Sequence, residues 1–510
     1  MVSTTCVLSV DQGTQSTRAY IFDSIDLKIL GYNNVSIPQI YPQPGWVEQE
    51  PEVLWDSVVA AIQQVIEGCK ASNSLSIKAL GIANQRETIV VWDKSTGKPL
   101  YNAIIWNDSR TVEIYSWVQE KFGQNCFQDS TGLPISPYFS AYKLKWLQRN
   151  VKAVQEALKL GNCLFGTIDS WLCYKMTNGR RHCIEISNAS RTSLMNLETE
   201  RWDKNIITLL GLDDFVFPQI VSSAEEIGAV VSIPNLHGVK ITGCLGDQQA
   251  SLLGHRCYPG RIKNTYGTGS FLLLNTGETV IRSKHGLLST VAYKLGKDAN
   301  TCFALEGSIS CAGQGVSWMR DSLKILDSNA ESEMLAASVP DSDGVIFVPA
   351  FTGLLAPWWA PNARACIMGI SLSTTKAHIV RALFSSICFQ TKDVLEAVKS
   401  DSGVDEFECL FVDGGAATNN FLLQMQANAL GIPVSRPNNT DTTALGAALA
   451  AGVGAKLWMP ESLFEGNQME FSQTFLPEKC MEGMALDYKS WKDAVKMVIN
   501  HSDRISGETR

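Results

Sequence analysis

The stretch CVLSVDQGTQSTRAYIFD, residues 6–23, decides the fold class. Apolar and β-branched residues lie on both sides of a polar segment that contains Gly13. This pattern predicts a strand, a tight polar turn and a second strand. A similar stretch, GRIKNTYGTGSFLLLNTG at residues 260–277, opens the other half of the chain. The two hairpins predict two related domains that face each other.

The segment after the first hairpin predicts how the domain continues. In EPEVLWDSVVAAIQQVIEGC, residues 50–69, Pro51 stands at a typical first helical position, and the apolar residues recur at helical spacing. KALGIANQ, residues 78–85, then has the composition of a strand. This alternation predicts an α/β protein with mixed sheets. Pro, Gly and charged residues interrupt the pattern at GHRCYPGR, so we expect domains at 1–254 and 255–510.

Length and composition exclude several protein classes. A chain of 510 residues exceeds what one core usually serves, which favours two domains with a cleft. With 45% hydrophobic and 18% charged residues, it is typical of globular proteins. A net charge of -8 argues against a broad nucleic-acid or membrane surface.

The cysteines and the chain ends indicate the compartment. The 14 cysteines form no C-x-x-C pair, and no H-E-x-x-H occurs, so we expect neither a disulfide framework nor a zinc site. The longest small-apolar stretch, ALGAALAAGVGA, is shorter than the roughly 20 residues of a spanning helix. No signal peptide or lipid anchor is recognisable. These features predict a cytoplasmic protein without a membrane anchor.

The turn of the first hairpin contains groups suited to polyphosphate. Backbone N–H groups around Gly13, the hydroxyls of Thr14 and Ser16, the cation of Arg18 and the carboxylate of Asp11 are all present. The same residue types are common in any surface β-turn, so that interpretation stays open. A Walker A loop does not occur in the sequence.

Two glycine-rich segments lie in the second half. FVDGGAATNNFLLQMQANALG, residues 411–431, predicts a strand, a Gly414-Gly415 turn and a helix that begins near Asn419. The paired glycines suit close approach of a ligand, or only packing of the helix on the strand. The small residues of TTALGAALAAG, residues 442–452, favour a helix in close contact with a neighbour.

Two segments carry charged residues at predicted strand ends. In GCLGDQQAS, residues 243–251, Asp247 follows a strand and is either a base for a substrate hydroxyl or a helix N-cap. In NQRET, Arg86 and Glu87 stand side by side between apolar stretches. A surface ion pair contributes only about 0 to 1 kcal/mol, so stability alone is a poor reason for that pair.

Blocks from one end of the chain to the other resemble the FGGY family of carbohydrate kinases, within the actin-like ATPase superfamily. They are DQGTQSTR, PGWVEQEP, NQRET, YNAIIWNDSRT, PYFSAYKLKWL, FGTIDSWL, NASRT, GDQQAS, NTYGTGSFLL, GLLSTVAYK, ALEGS, PAFTGLLAP, VDGGAATNN and TTALGAALAAG. The resemblance implies two ribonuclease H-like domains whose mixed sheets are flanked by helices, with the active site between them. NQRET together with GDQQ points to members that phosphorylate glycerol with ATP and magnesium, commonly as homodimers.

The resemblance also implies roles for individual residues. Asp247 would be the general base, and Asp11 would serve the metal. The remaining positions carried over from the family fall into two sets: Arg86, Glu87, Trp106, Tyr138, Gln248 and Phe271, with Asp247, around glycerol, and Thr14, Gln15, Ser16, Arg18, Gly267, Thr268, Gly313, Gly415 and Asn419 along the nucleotide. On this interpretation Arg86, which only donates, and Glu87, which accepts, clamp two vicinal hydroxyls.

The sequence departs from the family pattern at several positions. Gln15 stands where many relatives have Thr or Ser, Ser317 where some have Gln or Arg, and Ser385 where Glu is common. The loop SIPNLHGVK lacks the Gly-Gly-Thr-Arg that binds fructose 1,6-bisphosphate in bacterial relatives, so we predict no such regulation. Two alternatives remain: a kinase for another polyol or sugar, and a catalytically silent actin-like nucleotide-binding or scaffold protein.

Overall fold

A computed structural model describes residues 4–70, 75–465, 471–478 and 481–508. The first half of the chain alternates strands and helices. Its strands are β1 Thr4–Gln12, β2 Ser16–Asp23, β3 Ile29–Ser36, β4 Glu48–Gln49, β5 Leu75–Asn84, β6 Ile89–Asp93, β7 Ala103–Ile104, β8 Cys163–Thr167, β9 Cys183–Glu185, β10 Met195–Asn196, β11 Arg201–Trp202, β12 Gln219–Val221, β13 Gly228–Ala229 and β14 Lys240–Gly246. Its helices are α1 Pro51–Lys70, α2 Val112–Phe122, α3 Gln128–Thr131, α4 Ser140–Asn150, α5 Lys152–Lys159, α6 Ile168–Met176, α7 Ile186–Ala189, α8 Lys204–Leu210 and α9 Asp247–Gly254.

The second half has longer helices. Its strands are β15 Ile262–Tyr266, β16 Ser270–Gly277, β17 Leu288–Tyr293, β18 Cys302–Ile309, β19 Ile346–Val348, β20 Cys366–Met368, β21 Leu410–Asp413, β22 Val434–Pro437 and β23 Phe471–Phe475. Its helices are α10 Gly313–Asp321, α11 Glu331–Ala337, α12 Lys376–Ser402, α13 Asn420–Leu430, α14 Thr442–Gly454 and α15 Met481–Glu508.

Each half is built on one mixed sheet, and the two sheets share a topology. The first sheet has the order β13-β14-β5-β1-β2-β3, and the second has the order β17-β18-β16-β15-β21-β22-β23. In β3-β2-β1-β5-β14 and in β18-β16-β15-β21-β22, two antiparallel pairs are followed by two parallel pairs. The predicted α/β fold, with a related hairpin opening each half, is therefore confirmed.

The predicted amphipathic helix forms as α1, with Pro51 as its first residue. Leu54, Val58 and Ile62 are fully buried, and the helix packs on β2 and β3. A further four-stranded sheet, β4-β7-β6-β8, is joined to the first half. Its buried strands pack with α4 and α5 in a separate apolar cluster, which supports the loop that follows β5.

Helix α14 belongs to the second half in sequence but lies on the sheet of the first. It packs against α9 and against β1, β5 and β14. A Cβ added to Gly446 would lie 1.8 Å from the carbonyl oxygen of Ala250, and one added to Gly254 would lie 1.9 Å from that of Thr442. The small residues of α14 thus permit direct backbone contact, as the sequence predicted. The division at residue 254 stays a proposal, because α14 follows that residue in sequence but packs on the sheet of the first half.

Candidate active site

A tight turn after β5 presents the two adjacent charges. Glu87 has a φ of +56°, a left-handed conformation that costs a residue other than glycine about 1–3 kcal/mol. The backbone N–H of Thr88 donates to the carbonyl oxygen of Arg86 at 2.7 Å, which closes a three-residue γ-turn. Ser140 Oγ and Lys143 Nζ each donate to the carbonyl oxygen of Glu87 at 3.1 Å. These two donors hold the strained turn in place.

The turn borders a cavity between the two halves of the chain. Its volume is about 130 Å³, well above the roughly 10–15 Å³ that one water needs. The residues that line it are Thr14, Arg86, Glu87, Trp106, Tyr138, Asp247, Gln248, Gly267, Thr268, Gly269 and Phe271. The structure therefore brings together every residue that the resemblance assigned to the small substrate, with three of those assigned to the nucleotide.

Arg86 is buried and paired on two edges of its guanidinium. Nη1 donates to Glu306 Oε2 at 2.5 Å and Nη2 donates to Glu306 Oε1 at 2.9 Å, which is a bidentate pair. Nη1 also donates to Gln249 Oε1 at 3.4 Å. On the other edge, Nε lies 3.2 Å from Asp247 Oδ1. Arg86 therefore donates to Glu306 and Gln249 and forms an ion pair with Asp247.

Glu87 has its own cation, Arg191, rather than Arg86. Arg191 Nε donates to Glu87 Oε1 at 2.5 Å, and its Nη2 lies 3.3 Å from Glu306 Oε1. All these side chains are buried. Burial acts to raise the pKa of Glu306, but Arg191 and Arg86 outweigh it and lower that pKa to about 2. Glu306 is therefore ionised at neutral pH, and the four residues form a buried network of two arginines and two glutamates.

Asp247 lies at the start of α9, with its side chain 27% exposed toward the cavity. The N-cap of α9 is Gly246, which has no side chain with which to cap the helix. Asp247 Oδ1 accepts from the backbone N–H of Gln248 at 2.7 Å. Burial raises the pKa of Asp247, Glu87 adds to the rise, and Arg86 opposes it. Its second oxygen, Oδ2, accepts no hydrogen bond from the described residues, which suits a proton acceptor better than the N-cap interpretation does.

Aromatic rings form the apolar wall of the cavity. Trp106 meets Tyr138 and Phe271 edge to face, with ring centroids 5.9 Å and 6.1 Å apart. The Arg86 guanidinium lies 5.6 Å from the centre of the Phe271 ring. Trp106 Nε1 donates to Thr14 Oγ1 at 2.9 Å. The wall thus covers one side of the cavity and joins it to the first hairpin.

The two hairpin turns lie next to the cavity. In the first, the N–H of Gly13 donates to the carbonyl oxygen of Ser16 at 3.0 Å, and Gln15 is exposed. Opposite in register, Arg18 Nη1 lies 3.6 Å from Asp11 Oδ2. Burial raises the pKa of Asp11 to about 7, against the lowering effect of Arg18. Asp11, Gln15, Ser16 and Arg18 therefore lie in or beside the turn without lining the cavity itself.

The second turn rests on α10. The N–H of Gly313 donates to the carbonyl oxygen of Gly267 at 3.0 Å, and a Cβ on Gly313 would lie 2.7 Å from that oxygen. The N–H of Ala312 donates to the carbonyl oxygen of Thr268 at 2.9 Å. The structure thus places Gly313 beneath Gly267 and Thr268.

The Gly414-Gly415 segment lies between β21 and α13. Gly414 has a φ of +89°, and a Cβ there would lie 2.5 Å from the carbonyl oxygen of Tyr266, so this glycine permits close packing. A Cβ on Gly415 would meet no atom within 4 Å. Asn419 is the N-cap of α13, and its Oδ1 accepts from the N–H of Leu422 at 2.9 Å. The packing interpretation thus fits Gly414, and Gly415 faces open space.

Sequence reasoning missed the residues behind the lining. Arg191 and Glu306 lie in the blocks NASRT and ALEGS, and nothing in those blocks says which partner each meets. Lys143 Nζ also donates to the carbonyl oxygen of Tyr138 at 3.0 Å, and Lys263 Nζ donates to Gln248 Oε1 at 2.6 Å. For Arg191 and Glu306 the available signal was a single charged residue in each block. Ser317 and Ser385 are half-buried, and nothing in the structure explains either departure.

The described residues contain neither a metal-ligating cluster nor a membrane-spanning helix. No group of three or more His, Cys, Asp or Glu side chains that could hold a metal occurs within 4–70, 75–465, 471–478 or 481–508. Over the same ranges, every helix is too short or too polar to cross a membrane.

Comparison with known proteins identifies relatives over the full length. Residues 6–254 match the FGGY family of carbohydrate kinases, N-terminal domain, and residues 262–455 match the C-terminal domain of that family. A glycerol kinase of Arabidopsis thaliana is 47% identical, over 97% of this chain and 98% of that protein. Glycerol kinase 2 of Thermotoga maritima is 45% identical, over 98% and 99%. The crystal structure of Plasmodium falciparum glycerol kinase with ADP has a TM-score of 0.88 at 35% identity, over 97% and 98%.

Proposed function

The chain belongs to the FGGY family of carbohydrate kinases, and from this premise we propose that it transfers the terminal phosphoryl group of ATP to a hydroxyl of glycerol. One observation carries the assignment to this cavity. Arg86 and Glu87 meet Asp247 there, although Asp247 comes from a distant part of the chain. A silent nucleotide-binding protein has no use for a clamp and a base in one cavity.

The clamp offers one donor and one acceptor. One N–H of Arg86 Nη2 donates to Glu306, and the other has no partner among the described residues. This second N–H lies on the same edge of the guanidinium as Nε, which faces Asp247. Glu87 Oε2 likewise accepts no hydrogen bond from the described residues. Two vicinal hydroxyls of glycerol fit these groups, because each hydroxyl both donates and accepts. The rings of Trp106 and Phe271 lie beside the carbon skeleton.

Asp247 acts as the base. Its Oδ2 takes the proton of the hydroxyl as the oxygen forms a bond to the γ-phosphorus, while the bond from phosphorus to the bridging oxygen of ADP breaks. Positioning supplies most of the rate in such a transfer. Substrates that fill the cavity exclude water, which would compete as acceptor.

The hairpin turns hold the phosphates. Thr14 and Gln15 lie in the first turn, Ser16 and Arg18 follow it on β2, and Gly267 and Thr268 belong to the second turn. Further along the nucleotide are the positions Gly313, Gly415 and Asn419, where the side chain of Asn419 also caps α13. Asp11 fits a magnesium ion, because its carboxylate is buried with one cation, Arg18 at 3.6 Å, and carboxylate oxygens are ligands that magnesium prefers. When bound, magnesium neutralises charge on the phosphate oxygens.

Location and assembly are proposed on other grounds. The cysteines of the described ranges are free thiols and most are buried, which supports a reducing compartment such as the cytoplasm. Cys480 lies outside the described residues. The homodimer remains a prediction from the family resemblance.

Turnover on glycerol, erythritol, xylulose and gluconate tests the assignment. We expect ADP release at the highest kcat/KM with glycerol. A preference for any of the other three would overturn the choice of substrate and leave the family intact. Solved structures of gluconate and xylulose kinases from Lactobacillus acidophilus share the fold at 20% identity, with TM-scores of 0.85 and 0.83, so the fold alone does not choose the substrate.

A further inference from the structure

Glu306 lies behind the clamp and comes from the opposite half of the chain. It stands on β18, has no exposed surface, and contacts Arg86 and Arg191 from the first half. Strand β18 pairs with β16, which carries Phe271 opposite Ser308. One strand pair therefore supplies part of the apolar wall and the carboxylate that holds both arginines.

The contacts of Glu306 decide which edge of Arg86 faces the cavity. A guanidinium has an end edge, Nη1 with Nη2, and a side edge, Nε with Nη2. Glu306 occupies the end edge through both carboxylate oxygens. The side edge then points to Asp247. If Glu306 were neutral, the end edge of Arg86 would lose its anion. Asp247 would still be ionised within reach of Arg86 and would attract the guanidinium.

The same carboxylate acts on Glu87 through Arg191. Arg191 bridges Glu306 Oε1 and Glu87 Oε1. Its Nη1 and Nη2 have no well-formed hydrogen bond in the described structure, so charge attraction to Glu306 holds that end of the side chain. With Oε1 of Glu87 engaged, Oε2 is left for a ligand.

We propose that Glu306 is a positioning residue that sets the substrate selectivity of the clamp, by fixing the free donor of Arg86 and the free acceptor of Glu87. This inference rests on the proposed function, because selectivity is defined for the hydroxyls of glycerol. Glu306 touches no substrate itself. It acts through the two arginines, and Ser308 Oγ donates to its Oε1 at 3.0 Å.

The test compares Glu306→Gln with Glu306→Asp and with a control, Glu185→Gln. Glu185 is also buried and accepts from Ser187 and Ser223, but it does not line the cavity. Each purified full-length variant is assayed with glycerol, 1,2-propanediol and 1,3-propanediol, with ATP saturating, and KM for ATP is measured separately. Thermal unfolding reports whether each variant is folded.

We expect Glu306→Gln to lower kcat/KM for glycerol roughly 10- to 100-fold and to narrow the preference for glycerol over both diols. KM for ATP should stay within about twofold of wild type. Glu306→Asp keeps the carboxylate charge but shortens the side chain by one methylene. Its preference for glycerol should lie between those of the wild type and Glu306→Gln. Glu185→Gln should lower the unfolding temperature while the preference for glycerol is unchanged.

The outcomes separate this inference from the proposed function. A wild-type protein that is inactive on glycerol rejects the function. An active wild type with a folded Glu306→Gln variant of unchanged preference rejects the role of Glu306. So does a control variant that narrows the preference equally. If Glu306→Gln does not fold, Glu306→Asp decides, because an unchanged preference there also overturns the inference.

Discussion

Replacing Asp247 with Asn tests the assigned base most directly. Asn keeps an oxygen that can meet the N–H of Gln248, now at 2.7 Å, and the Nε of Arg86, now at 3.2 Å. The substitution therefore preserves the shape of the cavity and removes only the charge and the proton acceptor. A general base contributes about 10²- to 10⁴-fold in rate, or roughly 3 to 5 kcal/mol of transition-state stabilisation. Binding of glycerol loses at most one hydrogen bond, about 0.5–1.5 kcal/mol.

The assay measures binding and rate on the same preparation. Calorimetry with glycerol and a non-hydrolysable ATP analogue gives Kd, and steady-state ADP release gives kcat. Asp169→Asn is the matched control, since Asp169 is also buried, has a pKa raised to about 6 by burial, and does not line the cavity. An undiminished kcat in Asp247→Asn would refute the base. Equal losses of binding and rate would assign Asp247 to substrate binding alone.

The pH profile provides a second test of the same residue. Burial raises the pKa of Asp247 above its ordinary value, and the base must be ionised to accept a proton. Activity should therefore fall with decreasing pH, at a pH above the roughly 3.9 of an ordinary aspartate. This acid limb should be absent from the residual activity of Asp247→Asn. An identical limb in both proteins would assign the titration to another group.

Two further predictions concern the support of the site. Lys143→Met removes the donor to the carbonyl oxygen of Glu87, so KM for glycerol should rise about tenfold or more with KM for ATP unchanged; Lys145→Met, on the same helix and bonded to Gln148, should leave both constants unchanged. Gly446→Ala should lower the free energy of unfolding by about 1–3 kcal/mol, because its Cβ would collide with the backbone of α9. Gly68→Ala, in open space within α1, should raise it by about 0.5–1 kcal/mol. Thermal unfolding that changes in the same direction for both glycines would contradict the packing argument.

Local pattern predicted the elements that surround the site. The hairpin of β1 and β2, the helix from Pro51 and the strand that ends at Asn84 follow from periodicity and turn residues, which are properties of neighbouring positions. The left-handed turn at Glu87 could not be predicted, because Gly or Asn usually marks such a conformation. Lys143 stabilises it through a contact that spans 56 positions.

Long-range pairing explains what the sequence left hidden. Arg86 and Glu306 are separated by 220 positions, and Arg191 and Glu87 by 104. The clamp interpretation treated Arg86 and Glu87 as partners in binding, and the cavity brings both together. The clamp interpretation did not predict that Arg86 is paired with Glu306 and Glu87 with Arg191. Such pairs depend on how the two sheets pack, which no local pattern records.

The charge balance of the network explains why Asp247, rather than Glu306, is suited to accept a proton. Arg86 and Arg191 are matched by Glu306 and Glu87, and buried ion pairs rarely stabilise a fold more than apolar side chains of similar size. Their presence is better explained by a need to orient groups. Because Glu306 takes both terminal nitrogens of Arg86, Asp247 shares only the Nε edge of that cation. Burial therefore raises the pKa of Asp247, while the pKa of Glu306 falls to about 2. The same arginine thus keeps one carboxylate ionised as a support and leaves the other basic enough to accept a proton.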